Sequence, residues 1–124
     1  MLGNSSLVAI VMTADGARAK RFYEETLGLR FLFDDGFAQV FDANGVTLRV
    51  SMMEGYKPPS YSVVGWKVAD IVATVRALAA AGVETLRYPF LEQDELGIWT
   101  APGGAAKVAF FSDPDGNVLS LTES

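Results

Sequence analysis

Residues 42–50 read DANGVTLRV and residues 113–121 read DPDGNVLSL. The two stretches share one pattern. An Asp opens a turn, a Gly stands at the fourth position, and an alternating apolar–polar run follows. Asn44-Gly45 is a strong hairpin signal. In the second stretch Pro114 presets φ and Gly116 supplies the positive φ of a tight turn. Each stretch therefore reads as the closing hairpin of a sheet, and a chain that closes twice in the same way reads as a duplicated unit.

The flanking sequence repeats as well. Residues 7–12 (LVAIVM) predict a buried strand. Asp15 caps a predicted helix running to Leu27, with Ala19, Phe22, Tyr23 and Leu27 at helical spacing and Gly28 as its stop. Short strands follow at 30–33, 37–41 and 46–52, with Asp35-Gly36 as a turn. Residues 53–60 (MEGYKPPS) read as a linker. The order then restarts, with a strand at 61–68 and a helix capped by Asp70. That helix carries Ile71, Val75, Leu78 and Ala79 on one face and stops at Gly82. A strand at 84–88 and a hairpin from 106–111 and 117–122 complete the second copy. The insertion at 89–104 (PFLEQDELGIWTAPGG) lengthens this copy, and Gly97 to Thr100 within it offers part of an extra strand. The expectation is one α+β domain over 1–124, built from two βαβββ units at about 7–52 and 61–122.

Composition narrows the chemistry. Half of the 124 residues are hydrophobic, enough to bury a core. The net charge of −5 argues against a general nucleic-acid role and weakly favours cationic ligands. There are no cysteines and no histidines. That excludes disulfides, thiol nucleophiles, Ser-His-Asp triads and HExxH zinc sites. Any catalysis must run on carboxylates, Lys, Arg, Tyr or hydroxyls. The run from Leu7 to Met12 is far too short to span a bilayer, and no basic leader or cleavage pattern precedes it. A cytoplasmic location without membrane partners is expected.

The run FYEETLGLRF (22–31) and the C-terminal FFSDPDGNVLSLTE (110–123) resemble the vicinal-oxygen-chelate superfamily. That superfamily includes glyoxalase I, extradiol dioxygenases, fosfomycin-resistance enzymes and bleomycin-resistance proteins. The resemblance covers nearly the whole chain. It implies that each unit curls into half of an open, barrel-like sheet with the helices outside and a ligand in the cleft. It also implies dimerisation. Metal-dependent members carry one ligand on the first strand and one on the last strand of each unit. By register these positions fall at Val8 and Val63, near Arg49, and at Ser120. Two valines, a cation and a neutral hydroxyl are not a divalent-metal set, so no metal and no cofactor are expected. The acids Glu92, Asp94 and Glu95 form a local cluster whose plainer reading is a solvated loop.

Alternation assigns faces on the last strands. Thr47, Arg49 and Ser51 face the cleft, while Leu48, Val50 and Met52 face the helix. In the second copy Val118, Ser120 and Thr122 face the cleft, while Leu119 and Leu121 face the helix. Arg49 could grip a carboxylate or phosphate, act as an electrophile, or simply pair with an acid at the cleft mouth. Lys67 could be a base or could snorkel to water. Trp99 could form a flap over a flat ligand or pack in a dimer interface. Phe111 is expected to line the cleft, with Gln39 and Tyr56 at its border. The expected ligand-binding set is thus Arg49, Ser120, Gln39, Trp99, Phe111 and Tyr56, and the catalytic candidates are Arg49 and Lys67. The favoured function is a metal-free, homodimeric small-molecule binding protein whose ligand is cationic or aromatic. The alternative is a lyase, isomerase or dioxygenase of the same superfamily, either with unusual metal ligands or metal-free and using Arg49 and Lys67.

Overall fold

A computed structural model describes residues 1–124. The chain divides into two compact units, Met1–Pro58 and Pro59–Ser124. The first holds β1 (Val8–Thr13), α1 (Gly16–Arg21), a π-helical turn (Phe22–Thr26), β2 (Arg30–Asp34), β3 (Ala38–Ala43) and β4 (Val46–Met52). Its sheet runs β1-β4-β3-β2, with β1 parallel to β4 and the other pairs antiparallel. Asp15 has extended backbone, and its carboxylate accepts from the Arg18 N–H, which caps α1. The helix expected to reach Leu27 is in two pieces. Its second piece closes with a wide-ring bond from Leu27 N to Phe22 O. Gly28, at φ +74, then turns the chain away. Buried Ala19, Phe22 and Tyr23 meet Val11, Phe41, Leu48 and Val50 in the core. The Tyr23 and Phe41 rings lie 6.0 Å apart and those of Phe31 and Phe41 5.6 Å apart.

The second unit holds β5 (Ser62–Lys67), α2 (Ile71–Ala80), β6 (Trp99–Thr100), β7 (Lys107–Ser112) and β8 (Val118–Glu123). Its sheet runs β5-β8-β7-β6, with β5 parallel to β8. Asp70 caps α2 through the Ala73 N–H, and the Ile71 N–H donates to the Glu123 carboxylate. Ile71, Val75 and Leu78 of α2 are buried, as are Ala109, Phe111, Leu119 and Leu121 of the strands it packs on. Both units are thus β-α-β-β-β, the architecture expected from the repeat.

One strand is displaced from its expected place. Residues 84–88 form no strand. Only the Leu86 N–H reaches β7, at the Phe110 carbonyl, 2.7 Å away. The Gln93 side chain takes up the remaining bonding. Its Oε1 accepts from Tyr88 N, and its Nε2 donates to the carbonyls of Leu86 and Gly97. A side-chain amide has taken the role of a neighbouring strand. The vacant sheet position goes to β6 from the insertion, where Trp99 faces Val108 and Thr100 faces Lys107.

The two closing turns differ in depth. Asn44 (φ +53) and Gly45 (φ +92) form the two-residue loop between β3 and β4, and the Asp42 carboxylate accepts only from Gly45 N among exposed groups. Asp113 is buried beside the fully buried Asn117. Its carboxylate accepts from Asp115 N, Asn117 N and Asn117 Nδ2. Removing a buried acceptor strands its donors, so Asp113→Ala should destabilise the protein by about 2–3 kcal/mol in urea unfolding. The equivalent Asp42→Ala should cost less than about 1 kcal/mol, because its exposed donor can turn to water.

Candidate functional site

Each sheet packs one face on its own helix, and the candidate residues lie on the opposite face. On β4 of the first unit, Leu48 and Val50 are buried and Arg49 projects to the opposite side. Its Cα partners are Ile10 on β1 and Val40 on β3. Val8 and Ile10 are 49% and 58% exposed on the outer strand of this face. The Arg49 guanidinium Nη2 donates to Asp35 Oδ2 at 2.7 Å, and both side chains are about one-third exposed. The other oxygen of Asp35 accepts from Phe37 N and Ala38 N. The Arg49 hydrogen bond, followed by those two amides, holds the Asp35 carboxyl down at about 2. Of the readings open to Arg49, the structure therefore contains the ion pair with an acid.

In the second unit Ser120 is opposite Gly65 on β5 and Phe110 on β7. A bulge between Ser62 and Val64 changes which residue covers it. The Ser62 hydroxyl, not the side chain of Val63, reaches Ser120 Oγ at 3.1 Å. Along an unbroken strand that place would fall to Val63. Gly65 is required by the close approach: a Cβ there would lie 2.2 Å from Ser120 Oγ and 3.1 Å from the Ser120 carbonyl oxygen. Lys67 is exposed, two residues along the same face and opposite Thr122.

Two expected cleft residues lie on the other face. Phe111 is opposite Leu119 and fully buried toward α2, with its ring 6.4 Å from Trp66. It is in phase with Ala109, which pairs with Leu121 and so marks the core side. The aromatic residue that shares a face with Ser120 is Phe110, whose ring packs edge-on against Tyr88 at 5.4 Å. Its pairing with Ser120 across the closing hairpin was the available signal. Gln39 is opposite Val50 and 8% exposed. A Cβ on Gly16 would lie 3.1 Å from its Nε2, so Gln39 sits between the sheet and α1 and its Oε1 has no hydrogen-bond partner. Tyr56 is half-buried in the segment after β4, its N–H donating to the Met53 carbonyl. Trp99 lines an open groove of about 540 Å³ with Glu92, Gln93, Asp94, Ile98, Thr100 and Pro102.

These positions do not suit a divalent metal. Arg49 is a cation already matched by Asp35, Val8 and Ile10 have no donor atom, and Ser62 and Ser120 are neutral hydroxyls bonded to each other. Hard cations need several anionic or carbonyl oxygens. No three carboxylates converge anywhere in the structure. No step through a metal follows from these residues.

The model of the Glyoxalase/Bleomycin resistance protein/Dioxygenase superfamily matches residues 6–121. The chain belongs to that superfamily. Solved structures of the same fold include a superfamily member from Sphaerobacter thermophilus, at 23% identity with full coverage of both chains and a TM-score of 0.78. A glyoxalase family protein from Enterococcus faecalis is 23% identical, with 99% of this chain and 100% of that chain covered and a TM-score of 0.71. The lactoylglutathione lyase of Agrobacterium tumefaciens is 14% identical, with 100% and 96% covered and a TM-score of 0.75. No curated protein matches the sequence.

The Asp35–Arg49 pair has a defined pH signature. Asp35 titrates lower when folded than its ordinary 3.8, so its stabilising contribution is complete above about pH 4 and is lost as pH falls toward about 2. Arg49→Ala should raise the Asp35 midpoint measured by carboxyl NMR, though not fully to 3.8, because the Phe37 and Ala38 amides remain. Gly65→Ala should destabilise the second unit by about 1–3 kcal/mol through overpacking, and adding Ser120→Gly should recover part of the loss.

Proposed function

We propose that the protein is a metal-free, homodimeric small-molecule binding protein of the glyoxalase/bleomycin-resistance type. The groups it offers a ligand are, in each unit by itself, those on the sheet face opposite the helix: Arg49 in the first and Ser120 in the second. The observation that carries this reading is the chemistry at the register positions. One side holds an Arg already neutralised by Asp35, and the other a pair of serine hydroxyls bonded to each other. Such groups orient a polar ligand; they supply neither a Lewis acid nor a free general base. Lys67 is exposed to solvent at the end of β5. Homodimerisation is supported by exposed Val8 and Ile10 on the edge strand β1, apolar surface suited to a second copy.

Three measurements test this. Elemental analysis after chelation and reloading should find no tightly held divalent ion, and one ion per chain would overturn the metal-free reading. The protein should sediment as a dimer at micromolar concentration, and Ile10→Glu should shift it to monomer without unfolding it. A true ligand at about 100 times its Kd should add about 2.7 kcal/mol of stability. Turnover of that ligand, lost in Arg49→Ala, would instead favour the enzyme alternative.

A further inference from the structure

We infer that the groove beside Trp99 is a binding site for flat organic cations. This goes beyond the small-molecule reading above: it is a second site, apart from Arg49 and Ser120, with a ligand class of its own. The groove lies wholly within the second unit, and its volume of about 540 Å³ is in the range of small-molecule sites. Trp99 supplies a half-buried aromatic wall, and Ile98 and Pro102 add apolar surface. The only ionisable groups in the lining are the carboxylates of Glu92 and Asp94. Glu92 makes no ion pair or hydrogen bond, and Asp94 keeps Oδ2 free, since only its Oδ1 accepts, from Leu96 N and Ile98 N. The nearby cation, Arg87, is committed to the backbone carbonyls of Asp94 and Glu95.

The loop is held in shape, which separates it from a solvated charge run. Gln93 ties it to 86–88 through two bonds and to its own Gly97 carbonyl through a third, and Thr85 Oγ1 donates to the Leu96 carbonyl. Gly97, at φ +82, packs so closely that a Cβ would lie 2.2 Å from Thr85 Oγ1. An indole face attracts a cation, and the two carboxylates beside it strengthen that attraction while repelling anions. A bare metal ion would find only two anionic groups, Glu92 and Asp94, beside the neutral Thr100 hydroxyl, an indole, an isoleucine and a proline, too few for its shell. A planar, delocalised cation matches both the wall and the charge.

The test is calorimetry with three probes of one shape: 1-methylquinolinium, neutral 1-methyl-2-quinolone and anionic naphthalene-1-sulfonate. The cation should bind and quench tryptophan fluorescence, and binding should weaken with added salt. Glu92→Gln and Trp99→Leu should each raise its Kd about fivefold, while Trp99→Phe should retain most of the affinity. Asp94 is left intact because its Oδ1 fixes the turn. Equal binding of the quinolone, or an unchanged Kd in Glu92→Gln, would overturn the inference. A probe that binds independently of Glu92 and Trp99 but is lost in Arg49→Ala would overturn the groove assignment and leave the small-molecule reading standing. Absence of binding by all three overturns the groove assignment, whereas the broader reading falls only if a wide thermal-shift screen is silent as well.

Discussion

The parallel pairing of the first and last strands within each unit governs everything else. Parallel neighbours need a crossover, and here the crossover is a capped helix that covers one sheet face. Once β1 is fixed beside β4 and β5 beside β8, the pleat decides which residues meet the helix and which do not. Leu48, Val50, Leu119 and Leu121 go to the cores; Arg49 and Ser120 cannot. The candidate site is therefore a by-product of core burial. Arg49 and Ser120 stand at equivalent points of their own sheets because two similar hairpins close those sheets.

Equivalent points have acquired unlike chemistry. On the first sheet the face carries an ion pair braced by two backbone amides and flanked by exposed aliphatic side chains. On the second it carries hydroxyls, a glycine and an aromatic ring. Neither half retains an anionic donor aimed outward at these positions. The free carboxylates of the second unit are instead found in its insertion, next to Trp99.

Most of the fold was legible because its signals are local. The Asp15 and Asp70 caps, the Gly28 and Gly82 stops and the Asn44-Gly45 turn each act within a few residues, and each lies where its own chemistry puts it. Faces on the last strands were legible for the same reason. What escaped were features set by distant partners. The bulge that substitutes Ser62 for Val63 depends on how β5 meets β8. Phe111 looked like a cleft residue until the pairing of Ala109 with Leu121 fixed its phase. Gln39 is polar and sits in a core-facing slot, against the usual preference. The segment 84–88 has a strand-like composition, but Gln93, several residues away, occupies its bonding groups.

That last substitution bears on how the molecule behaves when crowded. A bare strand edge offers its amides and carbonyls to any passing chain, which is the first step of sheet-to-sheet aggregation. In the second unit the outermost strand, β6, is only two residues long. The segment beside it has the Tyr88 N–H and the Leu86 carbonyl sealed by one glutamine side chain. The insertion is thus a built-in end-stop for the sheet, and through Gln93 it leaves that edge two fewer backbone groups to offer another chain.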